Sequence, residues 1–354
     1  MAGLTVAVTG PTGEIGRAFM RSLERSREVE RIVGMARRPF DPAAHGWKRT
    51  EYRRGDVLDR ASVEGLVEGA DVVVHLAFVV LKASSETRHV NVEGSRNVFE
   101  ATVASGAKRL VYSSSVAAYG FPEDLDGPIT EDVPALGHAR HAYSAHKAEV
   151  EEVLDEALSG GETDAWVFRP CIVAGPDAPA LVEQARWPDR LPGPLAALAG
   201  AVGVLPDPGV PFQLVHHDDV ATALRAGVLG RGEPGAYNLA AAGEITMRDL
   251  ADALGYRTVP MPKLAVEATA ELVARLPFLP EEATWVEALR RPVPARLYTP
   301  GLPRPRTAAR IALATSSWWT SWKGTPGSGI TGLTSGAAPS RARTGPGSLS
   351  AAWT

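Results

Sequence analysis

Tyr143 and Lys147 stand four residues apart inside Ala142 to Leu158, a stretch with helical pattern, so both side chains share one face. That pairing suits proton transfer. A free tyrosine has a pKa of about 10 and is a poor base at neutral pH; reaching about 7 takes roughly 4 kcal/mol. One positive charge about 6 Å away, at an effective dielectric of about 20, contributes about 3 kcal/mol of that. The spacing therefore predicts a tyrosine acting as general acid or base, with a lysine lowering its pKa. Upstream, Tyr112-Ser113-Ser114-Ser115 supplies hydroxyls that both donate and accept, as a side chain holding a substrate oxygen beside Tyr143 must. Strand alternation turns Ser114 and Ser115 to opposite faces, so they are rivals for that role.

What this pair works with is indicated by Thr9-Gly10-Pro11-Thr12-Gly13-Glu14-Ile15-Gly16. The segment joins a short apolar run, Leu4 to Thr9, to a stretch whose apolar positions Ile15, Ala18, Phe19 and Leu23 follow one helix face. One glycine permits a tight turn, another lets backbone amides approach a pyrophosphate, and a third lets helix and strand pack closely. Gly10, Thr12, Gly13, Glu14, Ile15 and Gly16 are thus candidate cofactor-binding residues for NAD or NADP. An oxidised nicotinamide would supply the rest of the charge that Tyr143 needs. About twenty residues past the turn an acid normally meets the adenosine 2′-hydroxyl, but here the strand ends Ala36-Arg37-Arg38. Arg37 and Arg38 suit a 2′-phosphate, which favours NADP slightly; solvated loop charges are the other reading.

The elements that must position these groups alternate. Strand signals recur at Arg31 to Met35, Asp71 to Ala77, Arg109 to Ser113 and Trp166 to Arg169, with helical stretches at Ala61 to Glu68, Glu86 to Ser105 and Ala142 to Leu158. The expected fold is α/β, a Rossmann-type doubly wound parallel sheet over residues 1–170, with its crevice at the carboxyl ends of the strands. From Cys171 the sequence turns Pro- and Gly-rich, which reads as a smaller C-terminal substrate lobe over 171–296. Phe212 to Val215 and Tyr237 to Ala240 should return to the main sheet or flank it, and Lys263 to Arg275 reads as a surface helix.

Charge and composition narrow the function classes. All 41 acids lie at or before Glu287, giving the first 290 residues a balance of −12, while Arg291 to Thr354 carries eight basic residues and no acid. An acidic body argues against nucleic acid as the main partner; arginines and tryptophans in the tail leave a separate binding role there as a competing idea. From residue 297 periodicity fails, so 297–354 reads as a disordered or out-of-frame tail. No run of 18 apolar residues and no leader pattern occurs, which places the chain in the cytoplasm without a membrane partner. The single cysteine, Cys171, reads as a small buried residue. His216 and His217 resemble metal ligands only superficially, because adjacent strand residues point apart, and no metal is expected.

The glycine turn preceded by Thr9 resembles the extended short-chain dehydrogenase/reductases, which include epimerases, dehydratases and hydroxysteroid dehydrogenases. The resemblance continues in order over roughly 240 residues. It implies adenine contacts at Asp56 and Val57 and a strand end beside the cofactor at Leu76 and Ala77, with His75 structural. Asn91, also a cofactor-binding candidate, would open the central helix, with a role in ordering the active site or none. It further implies Ser115, four residues before Tyr119, as the catalytic serine, Tyr143 and Lys147 as the catalytic pair, both also binding the cofactor, Lys147 at the nicotinamide ribose, and Pro170 beside the cofactor. Dehydratases of this group usually carry an acidic pair after the catalytic serine or threonine, and Val116-Ala117 offers none. The expected function is an NAD(P)-dependent oxidoreductase or epimerase acting on a hydroxyl or carbonyl substrate, a nucleotide sugar or another alcohol or ketone. A catalytically silent NAD(P)-binding regulator is the alternative, and a homodimer is compatible with either.

Overall fold

A computed structural model describes residues 3–80, 85–120, 129–139, 141–178, 204–207, 209, 211–241 and 243–260. The expected surface helix after Lys263 and the tail from 297 lie outside these residues. The chain begins with β1 (Leu4–Thr9), α1 (Glu14–Glu24), β2 (Val29–Ala36), β3 (Thr50–Arg54), α2 (Arg60–Val67) and β4 (Val72–His75). It continues through α3 (Ser85–Ala104), β5 (Arg109–Ser113), a 3-10 turn (Val116–Tyr119), α4 (Ala142–Leu158), β6 (Asp164–Pro170) and β7 (Ile172–Ala174). Then come β8 (Val204–Asp207), β9 (Leu214–His216), α5 (His217–Val228), β10 (Gly235–Leu239), α6 (Met247–Leu254) and β11 (Arg257–Pro260).

Seven strands form one parallel sheet in the order β10-β6-β5-β4-β1-β2-β3. The chain winds outward from β1 to β3, then returns to β4 on the other side of β1. That reversal opens a crevice beyond the carboxyl ends of β1 and β4. Valines and alanines at Val6, Ala7, Val8, Val72, Val73 and Val74 are fully buried because both sheet faces are covered. One layer packs α1 and α5, through Phe19, Met20, Leu23, Val220 and Leu224, against β1, β5 and β6. The other packs α2, α3 and α4, through Leu66, Val98, Phe99, Val150 and Leu154. Each such Val, Leu or Phe side chain contributes about 1.5–3 kcal/mol on burial. Phe212 bridges Ile245, β9 pairs with β7 in a separate two-stranded sheet, and β10 joins the main sheet beside β6. Cys171 sits between β6 and β7, 8% exposed, with its amide donating to Leu239 O at 2.9 Å.

Candidate active site

The glycine turn is shaped by what surrounds each glycine. Gly10 has φ +71°, and a Cβ there would stand 2.7 Å from Ala77 N, so β1 and the end of β4 pass too closely for a side chain. At Gly16 a Cβ would meet Gly10 O at 2.3 Å, which holds the first turn of α1 against the loop. Gly13 differs. It is exposed, and its missing Cβ would have Gly10 O, at 3.5 Å, as nearest neighbour. Gly13 is also the N-cap of α1 and provides no side-chain hydrogen bond to the helix amides. An uncapped helix start behind an open glycine face fits a pyrophosphate. Thr12, Glu14 and Ile15, all half-buried, complete this turn.

The floor of the crevice is tied by a buried chain of hydroxyls and one imidazole. Thr9 Oγ1 lies 2.7 Å from His75 Nδ1, and His75 Nε2 lies 2.9 Å from Ser95 Oγ, which donates to Asn91 O at 2.5 Å. Thr9 Oγ1 also accepts from the amides of Leu76 and Ala77, each at 3.3 Å. Burial, reinforced by the Lys147 charge, pushes the His75 pKa down to about 3, so the ring is neutral. Sequence reading gave His75 a structural place but missed Thr9. Asn91 is 1% exposed, and both ends of its amide hold Val79, accepting from its N–H at 2.8 Å and donating to its carbonyl at 3.0 Å. It therefore orders the segment after β4.

That segment carries Phe78, which sequence reading did not single out. Its ring lies over Lys147 and stands edge-on to Tyr143, with ring centroids 5.6 Å apart. Tyr143, Lys147 and Ser115 are brought together by α4 and the loop after β5. Ser115 accepts from Ala117 N at 3.2 Å, capping the 3-10 turn, and its hydroxyl is close enough to Tyr143 to lower the phenol's pKa against burial. Ser114 turns the other way and donates to Glu151 Oε1 at 2.5 Å. The two rivals, just beyond the end of β5, thus point to different partners, which leaves Ser115 beside the tyrosine.

Lys147 is 3% exposed. Its ammonium donates to Tyr112 Oη at 3.2 Å and Ser113 O at 2.8 Å, and lies 6.0 Å from the Tyr143 ring centroid. Burial lowers its pKa to about 7, against the raising effect of Glu151. One expectation needs correction here. Burial holds the Tyr143 pKa above its ordinary value, and the Ser115 hydroxyl pulls it down. Desolvation opposes both charged forms, and the charge of Lys147 is itself diminished.

The remaining expected residues are placed as follows. Arg37 and Arg38 are exposed, on a loop whose carbonyls are held by Tyr52, donating to Ala36 O at 2.8 Å, and Arg54, donating to Arg37 O at 3.1 Å. Asp56 Oδ1 accepts from Leu58 N at 3.1 Å, and the Val57 side chain packs against Gly94. Pro170 ends β6, buried, paired with Leu239. The premise about His216 and His217 fails, since their ring centroids are 4.2 Å apart. β9 ends at His216 and α5 starts at His217, so strand alternation does not apply between them. With Asp218 they place one potential ligand atom each within 4.8 Å of one another. His216 Nδ1 is used as the helix cap, accepting from Asp218 N at 3.2 Å, and His217 Nδ1 faces Asp218 Oδ1 at 3.2 Å.

Residues 6–240 match the family model of the NAD dependent epimerase/dehydratase family. The chain belongs to that family. It is 35% identical over 170 residues to human 3 beta-hydroxysteroid dehydrogenase type 7, covering 44% of each chain. To sterol demethylase protein B of Methylococcus capsulatus it is 30% identical over 181 residues, 49% of this chain and 52% of that one. With a Sinorhizobium fredii protein the identity is 28% over 249 residues, 70% of this chain and 58% of the other, so the epimerase/dehydratase-family chain spans less than two thirds of these relatives. Among solved structures, MoeE5 in complex with UDP-glucose and NAD gives a TM-score of 0.64 at 22% identity, covering 91% of this chain and 99% of that one. The UDP-Glc/GlcNAc 4-epimerase of Campylobacter jejuni gives 0.61 at 20% identity, covering 73% and 87%. These two share the fold. The family is named for NAD-dependent epimerases and dehydratases. No described helix is long and apolar enough to cross a membrane.

Proposed function

We propose that this epimerase/dehydratase-family chain is an NAD(P)-dependent oxidoreductase or epimerase whose Tyr143 exchanges a proton with a substrate hydroxyl or carbonyl oxygen. One observation carries the reading: Ser115, Tyr143 and Lys147 meet at the carboxyl edge of the sheet that also holds the open Gly13 turn. Gly10 to Gly16 would hold the pyrophosphate against the start of α1, Asp56 and Val57 the adenine end, and Leu76, Ala77 and Pro170 the crevice walls. When bound, the nicotinamide supplies or accepts the hydride. Ser115 holds the substrate oxygen, and the Tyr143 hydroxyl moves the proton at that oxygen. Lys147 would hold the cofactor ribose, and its positive charge together with that of an oxidised nicotinamide would favour the Tyr143 phenolate that burial disfavours.

Phe78 lines the reacting pair with an apolar ring, which suits a substrate whose carbon skeleton is apolar next to the reacting carbon. Relatives named for 3 beta-hydroxysteroid and sterol chemistry agree with that class, while the neighbour with UDP-glucose represents the sugar alternative. Arg37 and Arg38 favour NADP over NAD. The test is cofactor binding and turnover in Tyr143→Phe. Binding is expected to persist while turnover, read by nicotinamide absorbance over a panel of cyclic alcohols and ketones, falls at least about a hundredfold. Retained turnover would overturn the reading.

A further inference from the structure

Two pairs of residues stand opposite one another behind the active site. Tyr112 lies in β5 and Ser114 follows just beyond its end, while Lys147 and Glu151 share one face of α4 because they are four apart. The result is two rungs, Lys147 to Tyr112 at 3.2 Å and Ser114 to Glu151 at 2.5 Å. Between the rungs, the Ser114 hydroxyl is close enough to Tyr112 to act on its pKa, lowering it against the larger effect of burial.

We propose that Tyr112, backed by Ser114 and Glu151, is a positioning residue that aims the Lys147 ammonium and holds it charged. This rests on the reading of Tyr143 and Lys147 as the catalytic pair. An ammonium has three donors. Two are spent on Tyr112 Oη and Ser113 O, and the Phe78 ring covers the cation. Because Tyr112 accepts from Lys147, its own hydrogen is free to turn towards Ser114, whose hydrogen goes to Glu151. Every donor then points from the lysine towards the carboxylate, so a neutral pair of hydroxyls conveys a negative charge to a buried cation.

The other groups around Lys147 do not replace this one. His75, on β4, stacks on Tyr112 with centroids 5.8 Å apart and is neutral. Tyr143, on α4, keeps its proton. Arg169, on β6, donates to Glu151 through Nε at 3.1 and 3.2 Å and through Nη2 at 2.5 Å, which fixes the carboxylate but adds positive charge. Burial holds the Tyr112 pKa well above its ordinary value, so it serves as a hydroxyl and never as a counter-ion.

The experiment is a pH titration of lysine side chains by NMR on the full chain, carbon-labelled at the ε position and without cofactor, with Lys147→Arg to assign the resonance. Tyr112→Phe keeps the ring and removes only the oxygen. It is expected to lower the Lys147 midpoint by about one pH unit, the scale of one hydrogen bond to a charged group. Ser114→Ala should move it the same way by less, and carries the test should Tyr112→Phe not fold. A midpoint unchanged or raised in folded Tyr112→Phe or Ser114→Ala overturns the proposal. Failure of the wild-type chain to bind NAD or NADP would instead overturn the catalytic reading, and the lysine titration would still stand as measured.

Discussion

The Phe78 ring lies over Lys147, with Nζ 3.7 Å from the ring centroid. Asn91 of α3 fixes that ring by clamping the neighbouring Val79 backbone, so one helix sets the environment of a lysine on another. Desolvation is the main reason that the Lys147 pKa sits at about 7. Phe78→Ala should admit water and raise it towards the ordinary value of about 10.4. The same lysine NMR titration checks this, and a midpoint that stays put would mean that the desolvation comes from elsewhere.

Gly13 and Gly16 should behave in opposite ways. Gly16→Ala places a methyl 2.3 Å from Gly10 O and 2.8 Å from Pro11 C, both backbone atoms, and should destabilise the fold by about 1–3 kcal/mol. Gly13→Ala meets nothing closer than 3.5 Å at φ −71°, so urea unfolding should match wild type to within about 0.5 kcal/mol. Its cofactor affinity should nonetheless drop, because the methyl stands on the face that suits the pyrophosphate. Equal cofactor affinity in Gly13→Ala and wild type would move the phosphate site elsewhere.

The double change Arg37→Ala, Arg38→Ala should weaken NADP more than NAD, because only NADP presents the extra phosphate to a guanidinium. Titration of both cofactors by fluorescence decides it. Equal weakening would mean that these arginines are solvated loop charges.

His75 makes stability depend on pH. Its folded pKa of about 3 lies below the unfolded value of about 6.5, so between those values the unfolded chain binds more protons than the folded one. Stability from this group is full above about pH 6.5 and is lost as pH falls towards 3, up to about 4 kcal/mol. Carboxylates titrate in the same window, so the informative quantity is a difference. Urea unfolding of wild type and His75→Gln between pH 7 and about 4 should show a shallower decline in the variant, and parallel curves would contradict the assignment.

Much of this was legible in the sequence because it is local. Tyr143 with Lys147, and Gly10, Gly13 and Gly16, are fixed by spacings within one turn or one helix, and alternating strand and helix patterns led directly to the parallel sheet. Thr9 with His75 was not legible, since the partners lie 66 residues apart and neither type announces the contact. Phe78 was missed for a similar reason: an aromatic after a strand reads as core until its neighbour is known to be a buried ammonium. Ser115 was chosen over Ser114 by its place four residues before Tyr119, while the partner that takes the Ser114 hydroxyl, Glu151, lies 37 residues on and could not be read. The pKa argument counted the lysine charge without the desolvation that accompanies it. For His216 and His217, one residue of uncertainty in a strand boundary reversed where the rings point.

Cys171 gives the chain a built-in reporter. It is the single thiol in 354 residues, it lies buried where β6 gives way to β7, and burial raises its pKa strongly. A thiol reagent needs the exposed thiolate, so labelling should proceed only in molecules that have separated β6 from the Leu239 carbonyl. Alkylation kinetics would therefore time the opening of the seam between the nucleotide-side sheet and the strands that follow it. A cofactor or substrate that bridges the two sides of that seam should slow the clock.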